Sequence, residues 1–527
     1  MSRNLSNRPM VSVAHDAQSH VIAFLTDPAT HGGEAVKKID THASIVFLAG
    51  DFAYKLKRAV RYSYLDYSTV EARRRACEAE VALNRRTAPE IYLRASPICR
   101  NAQGCMQFDG DGTVLDWVVW MRHFDDDLLF DRLAQRQALT LNHMLELAGE
   151  IADFHRAAEV DRQAGGAEAV ANVIRGNLAN LSIHAPAIFD SALIEQLKQY
   201  SERALAQIGD LLDRRRDEGH VRLCHGDLHL RNVCLIGGRP VLFDCIEFSR
   251  ELACIDVLYD LAFLLMDLEE RQLRPLANAA FNRYLDLTDE SAGTPAIPLF
   301  LSMRAAVRAH VTAAAADLKS DPLARDRSAD EARQYLQLAL SLIQSVHPVL
   351  IAIGGLSGTG KTTLAYSLAP QLGASPGARV LRTDVLRKRL AGQQLTARLP
   401  ADAYGEAMTQ RVYDALFTEA AAILASGHGA MVDAVFARES ERNAIGEIAA
   451  QHNVPFIGLW LEAPLPVMEQ RIGRRRDDAS DATVEVVRRQ QAYDIGRMTW
   501  RRIGASGSLN DVVERAWAAI RPLQKPH

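Results

Sequence analysis

The sequence predicts two domains of different fold class: an α+β domain in residues 1–346 and an α/β domain with a parallel sheet in residues 347–527. Three observations support this prediction. The chain has 527 residues, which exceeds the usual size of one domain. Each half has its own group of polar residues directly after an apolar strand. Beyond residue 347, short apolar runs alternate with helical patterns, an order typical of parallel sheets with crossover helices.

Composition and charge exclude several classes of protein. Hydrophobic residues make up 48% of the chain and charged residues 24%, so sizeable cores can form without disulfides or metals. The net charge of -4 gives no electrostatic reason to expect nucleic acid or an anionic membrane as the main partner. The seven cysteines are scattered without a C-x-x-C pair, and the first residues lack an apolar signal-peptide core. We therefore expect a cytoplasmic protein with reduced thiols.

The first domain combines strands with long helical stretches. Its predicted elements are two strands around a turn at Gly50-Asp51 within residues 42–60, a helix in 69–87, a strand in 113–122, helices in 126–217, short strands around a polar loop in 221–248, and helices in 255–346.

The second domain begins where an apolar strand runs into a glycine-rich loop. Its predicted elements are strands in 347–355, 380–384, 430–436 and 455–463, with helices in 404–426 and 438–452. We place the boundary near residue 346, where no long low-complexity linker intervenes.

The glycine-rich loop fits the pattern G-x-x-x-x-G-K-[ST] from Gly355 to Thr362. Glycines let backbone N–H groups curl around phosphate oxygens, and the following helix directs its positive N-terminus at the same anion. Lys361 is expected to reach the β- and γ-phosphates, and the Thr362 hydroxyl to bind Mg²⁺. The residues expected to contact nucleotide are Gly355, Ser357, Gly358, Thr359, Gly360, Lys361, Thr362 and Thr363.

Two acidic residues follow later strands of the second domain. Asp384 comes after one strand and Asp433 closes the next. Ligands of open α/β sheets bind outside the carboxyl ends of the strands, so both carboxylates are expected near the phosphates. We assign Asp384 to accept the proton of an attacking hydroxyl and Asp433 to hold Mg²⁺. The alternative is that either acid caps a helix N-terminus.

A basic cluster, QRIGRRRDDASD, occupies residues 470–481. It favours a lid whose arginines close over the transferred phosphate, with Arg471 and Arg475 as candidates and Arg476 as a rival. A solvated charged surface is the alternative.

The second domain resembles small P-loop kinases of the gluconate kinase and shikimate kinase type, and most closely the zeta-toxin-like, AAA-type branch. The resemblance covers residues 347–505 and rests on GGLSGTGKTT, RTDVLRKRL, AMVDAVFAR and RRRDDASDAT. It implies an ATP-dependent kinase and does not name the acceptor.

The polar loop of the first domain carries a second pattern. His225, Asp227 and Asn232 follow the spacing H-x-D-x-x-x-x-N, and Asp244 ends the next strand. This is the spacing of a kinase catalytic loop followed by a metal-binding aspartate. Asp227 can take the proton of an attacking hydroxyl, and the oxygens of Asn232 and Asp244 suit Mg²⁺.

The form HGDLHLRN resembles the aminoglycoside phosphotransferase and choline kinase group, which shares the protein-kinase fold. The resemblance covers residues 20–320. It implies that Asp256 and Asp260 brace the catalytic loop. The chain departs from the kinase pattern because no G-x-G-x-x-G loop precedes the strand AYKLK.

That strand is implied to supply a phosphate-binding lysine. Lys55 and Lys57 share one face because side chains alternate along a strand, and Lys55 is preferred. Its implied helix partner is Glu80, with Glu78 as the rival. Met121 lies in the stretch implied to read adenine.

Together these patterns favour a bifunctional phosphotransferase that uses ATP and Mg²⁺ and acts on small-molecule hydroxyls. One alternative keeps the second domain as the single kinase and treats the first as a regulator or scaffold. Another is a nucleotide-switched binding protein or a nucleic-acid end kinase.

Overall fold

The computed structural model describes residues 18–41, 43–62, 65–288, 290–344, 346–473 and 479–521. The chain forms two compact units. The first unit comprises residues 1–166 and 214–264, and the second comprises residues 167–213 and 265–527. The limits of these units differ from the domain boundary expected near residue 346. That boundary stays a prediction. No helix of the described part is both long and apolar enough to span a membrane.

The first unit begins with a six-stranded antiparallel sheet in the order β1-β2-β3-β8-β6-β7. The elements up to the end of this sheet are α1 (Ser19–Thr26), β1 (Val36–Asp40), β2 (Ser44–Ala49), β3 (Phe52–Lys57), β4 (Arg61–Tyr62), β5 (Leu65–Asp66), α2 (Val70–Asn84), β6 (Tyr92–Arg100), β7 (Met106–Phe108) and β8 (Thr113–Arg122). The predicted hairpin around Gly50-Asp51, the predicted helix and the strand in 113–122 are confirmed. α1, β1, β4, β5, β6 and β7 were not predicted.

The middle of the chain is mostly helical, with two short two-stranded sheets, β9 with β12 and β10 with β11. Its elements are α3 (Phe130–Gln135), α4 (Leu141–Ala157), α5 (Gly166–Ile183), α6 (Ser191–Glu218), β9 (Val221–Leu223), β10 (Val233–Ile236), β11 (Arg239–Leu242), α7 (Arg250–Ala253), β12 (Cys254–Asp256), α8 (Val257–Glu270), α9 (Arg274–Thr288), α10 (Ile297–Asp317) and α11 (Pro322–Ile343). The short strands predicted around the polar loop are β9, β10 and β11, and they position that loop.

The second unit contains the predicted parallel sheet, in the order β14-β15-β13-β16-β17. Its elements are β13 (Leu350–Gly354), α12 (Lys361–Leu368), β14 (Arg379–Arg382), α13 (Thr383–Leu390), α14 (Glu406–Ala425), β15 (Ala430–Asp433), α15 (Glu439–Gln451), β16 (Phe456–Glu462), α16 (Leu465–Gly473), α17 (Val484–Gln490), β17 (Arg501–Gly504) and α18 (Leu509–Ile520). The edge strand β17 was not predicted.

Both faces of this sheet are covered by apolar side chains. Ile351 and Ile353 of β13 belong to one buried cluster, and Leu350 and Ala352 to another. Alternate residues of a strand point to opposite faces, so β13 is buried on both sides. This explains its continuous apolar run.

Helix α9 packs within the second unit against the edge strand β14. The guanidinium of Arg379, which is 1% exposed, lies 2.6 Å from an Asp286 carboxylate oxygen and 3.6 Å from Glu419. Asn282 of α9 accepts the Val380 amide at 2.7 Å. β14 therefore depends on polar side chains from a helix nearly a hundred residues earlier.

Replacing Asp286 with alanine is expected to destabilise the second unit by about 3–5 kcal/mol, since it leaves the buried Arg379 guanidinium short of its nearest counter-charge. Thermal or urea unfolding of the intact chain measures the effect. Asp330→Ala is the matched control because it breaks only an exposed pair with Arg333, and we expect it to stay within about 0.5 kcal/mol. Equal effects of the two substitutions would contradict the role given to Asp286.

Candidate active sites

The glycine-rich loop joins β13 to α12, where its glycines adopt conformations that other residues avoid. Gly355, Gly358 and Gly360 have φ of 140°, 85° and 98°, in the left-handed region that favours glycine. A Cβ at Gly358 would lie 2.8 Å from the Met468 carbonyl oxygen. The chain can therefore turn tightly into α12 and present backbone N–H groups to an anion at its N-terminus.

A pocket of about 400 Å³, open to solvent, lies at this loop. The Thr362 hydroxyl donates to an Asp433 carboxylate oxygen at 2.5 Å, and the Lys361 ammonium donates to the Leu356 carbonyl at 3.2 Å. A hydroxyl beside a carboxylate is a donor set that fits Mg²⁺. The pocket is lined by Ser357, Gly360, Lys361, Thr362, Thr383, Asp384, Asp433, Val435 and Ser480.

Asp384 lies in the first turn of α13, two residues after the N-cap position, which Arg382 occupies. The alternative that Asp384 is itself a helix N-cap is therefore wrong. Burial raises the pKa of its carboxyl, while Arg382 opposes that rise and Asp433 adds to it. Ser480 lines the same pocket as this carboxyl, and its hydroxyl lowers the pKa of Asp384.

The raised pKa of Asp384 predicts a pH dependence. The carboxylate accepts a proton only when ionised, so kcat/KM of the reaction at this pocket should fall as the pH drops through a value above the ordinary 3.8. Arg382→Gln removes the cation that lowers this pKa, and we expect the acid limb to move to higher pH. A pH–rate profile of both proteins measures the shift, and an unmoved limb would contradict the assignment.

The remaining predicted residues of this site lie in the loop itself and in the first turn of α12. The Ser357 amide donates to the Gln490 side-chain oxygen at 2.8 Å, and the Thr359 hydroxyl donates to the Leu356 carbonyl at 2.8 Å. Thr363 is exposed in the first turn of α12.

The predicted lid arginines divide into two groups. The Arg471 guanidinium donates to the carbonyls of Thr359 and Ala505 at 2.9 and 2.8 Å. It thus lies beside the loop, and its contact with phosphate stays a prediction. Arg475 and its rival Arg476 lie outside the described residues.

In the first unit, Glu80 of α2 joins both candidate lysines of β3. The Lys55 ammonium lies 2.8 Å from a Glu80 oxygen and 2.6 Å from Asp244. The Lys57 ammonium contacts the other Glu80 oxygen and also Glu247. Burial alone would raise the pKa of the Glu80 carboxyl, but the two ammonium groups hold it well below its usual range.

Only Lys55 of this pair contacts the predicted metal-binding residue Asp244, which favours the preferred lysine. The rival carboxylate, Glu78, instead lies 3.5 Å from Arg74 on the exposed side of α2. Asp244 has φ of 61°, which is strained for a residue other than glycine. Its amide donates to the Tyr92 hydroxyl at 3.1 Å.

The polar loop between β9 and β10 carries the predicted proton acceptor. The Asn232 side-chain amide donates to both the carbonyl and a carboxylate oxygen of Asp227, at 2.9 and 3.0 Å. The His229 ring lies 3.3 Å from the same carboxylate. Because the Asn232 nitrogen faces Asp227, its side-chain oxygen points elsewhere, as a metal ligand requires. The oxygens of Asn232 and Asp244 thus have the chemistry for Mg²⁺.

Asp260 of α8 binds the backbone of the same loop. Its carboxylate accepts the amides of His225 and Gly226 at 3.0 and 2.8 Å and lies 3.1 Å from the His155 ring. The His225 ring in turn contacts the Phe243 carbonyl at 2.9 Å. These contacts match the bracing expected of Asp260.

Two further predicted residues hold other positions in the first unit. Asp256 forms a two-bond pair with Arg215 at 2.7 and 2.9 Å. Met121 lies near the end of β8, 9% exposed, and pairs with Ala53 and Tyr92. Its contact with adenine stays a prediction.

Sequence reasoning missed four residues that touch the candidate catalytic groups. Tyr92 contacts Asp244 and Glu247 contacts Lys57, whereas Ser480 lines the P-loop pocket and Gln490 contacts the glycine-rich loop. Ser480 falls within the basic cluster that the sequence did single out. A lone hydroxyl, amide or carboxylate has no spacing pattern, so nothing in the sequence distinguished these four.

Comparison with known proteins supports two kinase-type domains. Residues 72–296 match the family described as "Phosphotransferase enzyme family", and residues 350–493 match the family described as "AAA domain". The fold classes predicted from the sequence are therefore confirmed: a kinase-like fold with an antiparallel sheet, then an α/β P-loop fold with a parallel sheet.

Whole-chain similarity extends to a mycobacterial protein. The chain is 30% identical over 489 residues to "Uncharacterized protein Rv2004c" of Mycobacterium tuberculosis, covering 91% of this chain and 94% of that protein. Among solved structures, a gluconokinase from Sinorhizobium meliloti is 19% identical, with a TM-score of 0.25, covering 33% of this chain and 93% of the other. A choline/ethanolamine kinase family protein from Mesorhizobium loti is 14% identical, with a TM-score of 0.38, covering 62% and 99%.

Proposed function

We propose, from the premise that this chain belongs to the family of the mycobacterial protein Rv2004c, that it is a bifunctional ATP-dependent phosphotransferase. Each of its two kinase-type domains transfers the γ-phosphoryl group of ATP to a hydroxyl of a small molecule. Both sites use Mg²⁺, which neutralises charge on the phosphates when bound.

At the P-loop site, the backbone amides of residues 355–362 cradle the phosphates. Lys361 places a positive charge beside the β- and γ-phosphates. Thr362 and Asp433 hold the metal ion, and Asp384 receives the proton of the acceptor hydroxyl. Phosphoryl transfer needs mainly positioning and charge neutralisation, and these residues supply both.

At the kinase-like site, Lys55 binds phosphate and is oriented by Glu80. Asp227 receives the proton of the acceptor hydroxyl, and Asn232 and Asp244 hold the metal ion. Met121 lies where adenine is read. The two sites thus offer the same set of chemical parts on unrelated folds.

The observation that carries the proposal is the convergence of Lys361, Thr362, Asp384 and Asp433 on one pocket. These four residues are spread over about seventy positions of the sequence, and the fold brings their side chains into the same pocket. Their chemistry is a cation, a hydroxyl and two carboxylates, which is what the transfer of a phosphoryl group to an alcohol requires.

A screen of small-molecule alcohols with γ-labelled ATP and the intact chain tests the proposal. We expect labelled products that depend on Lys361 for one acceptor and on Asp227 for another. If only Lys361→Ala abolishes label transfer with every acceptor, the first domain acts as a regulator and the bifunctional assignment fails. ATP hydrolysis with no phosphorylated product would instead favour a nucleotide switch.

A further inference from the structure

Lys57 of β3 is a buried cation to which the proposed mechanism gives no task. The residue is 1% exposed, and its ammonium group contacts one oxygen of Glu80 and one of Glu247. Burial alone would lower the pKa of Lys57, but Glu247 and Glu80 raise it above its usual range. A cation enclosed by protein in this way does not reach a bound nucleotide, so any effect on catalysis must pass through its two carboxylate partners.

Glu247 is fixed by a second donor besides Lys57. The Tyr67 hydroxyl donates to the Glu247 oxygen that Lys57 contacts, at 2.7 Å. Burial raises the pKa of the Tyr67 phenol, so that its hydroxyl keeps the proton that it donates. The Lys57 ammonium also lies 5.2 Å from the centre of the Tyr67 ring, within the range of a cation–π contact. Glu247 and Tyr67 therefore hold the Lys57 ammonium in one place.

Lys55 and Lys57 belong to one row of side chains whose charges alternate in sign. Its members in order are Asp244, Lys55, Glu80, Lys57 and Glu247. The exposed fraction of the side chain falls from 41% at Asp244 to 15% at Lys55 and 0% at Glu80. The end of the row that faces solvent is thus the end proposed to bind metal and phosphate, and Lys57 lies towards the closed end.

The two oxygens of Glu80 are divided between the two lysines. Lys55 contacts Oε1 at 2.8 Å, and Lys57 contacts Oε2. An ammonium group has three donors, and within the described part of the chain those of Lys55 go to Glu80 and Asp244. One donor of Lys55 is therefore available for a phosphate oxygen.

Removing the charge of Lys57 would leave Lys55 as the only lysine in this row, beside the two buried carboxylates of Glu80 and Glu247. Opposite charges attract more strongly in a buried, low-dielectric environment than in water. Glu80 would then draw the Lys55 ammonium onto both of its oxygens and away from the side that faces the phosphates. Lys57 prevents this by neutralising the buried end of the row.

We propose that Lys57 is a positioning residue for nucleotide binding at the kinase-like site, and that it acts by keeping Glu80 from capturing the Lys55 ammonium. The inference rests on the proposed function of that site. Lys57 itself contacts neither ATP nor Mg²⁺; it determines how strongly Lys55 binds the phosphates.

The test measures nucleotide affinity by calorimetry in the intact chain carrying Lys361→Ala, so that the kinase-like site is the one titrated. With Mg²⁺ and a non-hydrolysable ATP analogue, we expect Lys57→Met to raise Kd about tenfold, the lower end for one hydrogen bond to a charged group. The Kd of adenosine should stay unchanged, because adenosine has no phosphate for Lys55 to bind. A packing defect would weaken both ligands, and that result would overturn the inference. Lys37→Met, on the exposed side of β1, is the matched control and should leave both Kd values unchanged.

A second pair of variants avoids the unpaired charge that Lys57→Met leaves in the core. Glu247→Gln alone keeps Glu80 shared between the two lysines, so the analogue should bind as it does to the Lys361→Ala chain. Adding Lys57→Met to Glu247→Gln should raise the Kd of the analogue, but by less than Lys57→Met alone, because one buried carboxylate fewer attracts Lys55. This comparison holds even where Lys57→Met alone does not fold.

The outcomes separate the inference from the proposed function. Unchanged affinity for the analogue in Lys57→Met, or equal affinities of Glu247→Gln with and without Lys57→Met, would overturn the inference and leave the proposed function standing. If the Lys361→Ala chain bound no nucleotide in the presence of Mg²⁺, the kinase-like site would not be a nucleotide site, and both would fail.

Discussion

Replacing Lys361 with alanine is expected to lower kcat of the P-loop reaction by about 10²- to 10³-fold, the range seen when one preorganised electrostatic group is removed from a charge-stabilising site. The reason is that the ammonium group neutralises charge on the β- and γ-phosphates, and no other lysine lines this pocket among the described residues. Steady-state rates of ADP formation with the best acceptor measure the loss.

Arg501→Met is the matched control for this substitution. It removes an exposed cation from the edge strand β17 and should leave the rate within twofold of wild type. A Lys361→Ala protein as active as Arg501→Met would show that the lysine does not contact the transferred phosphate.

Replacing Asp227 with asparagine is expected to lower kcat of the reaction at the kinase-like site by about 10²- to 10⁴-fold, the usual contribution of general base catalysis. Asparagine keeps the size of the side chain and its capacity to pair with Asn232 but cannot take up a proton. The loss should therefore appear in kcat with little change in KM for ATP.

Asp153→Asn makes the same chemical change on the surface. The Asp153 carboxylate on α4 is 73% exposed. The Asp153→Asn protein should therefore be as active as the wild type. If Asp227→Asn keeps wild-type kcat with every acceptor phosphorylated by the first domain, Asp227 is not the base.

The sequence predicts best those elements whose pattern is continuous and apolar. β13 is a run of five buried residues that leads into a fixed glycine spacing, so strand, loop and helix follow from one another. The strands β1 and β17 are short edge strands with polar and charged residues. Edge strands need only one apolar face or none, which removes the signal on which their prediction depends.

The choice between candidate side chains depended on geometry that a sequence cannot supply. Lys55 and Lys57 share one face, as strand alternation predicts, and Glu80 contacts both of them. The contact with Asp244 is what favours Lys55 over Lys57. The position of Asp244 results from a strained backbone conformation after β11, which no propensity predicts.

The polar contacts between segments that are distant in the sequence could not be predicted either. The pairing of Arg379 with Asp286 joins residues 93 positions apart, and the hydrogen bond from the Ser357 amide to the Gln490 side chain joins residues 133 positions apart. Such pairs have no periodicity or local spacing. The first pair also means that a cut near residue 346 would remove the nearest counter-charge of Arg379, so the two domains are best tested by substitutions in the intact chain.

Calorimetric titration of the intact protein with a non-hydrolysable ATP analogue tests the central claim of two nucleotide sites most directly. The account predicts two nucleotides bound per chain in the presence of Mg²⁺, and one in the Lys361→Ala variant. A stoichiometry that Lys361→Ala leaves unchanged, or binding that does not require Mg²⁺, would contradict it.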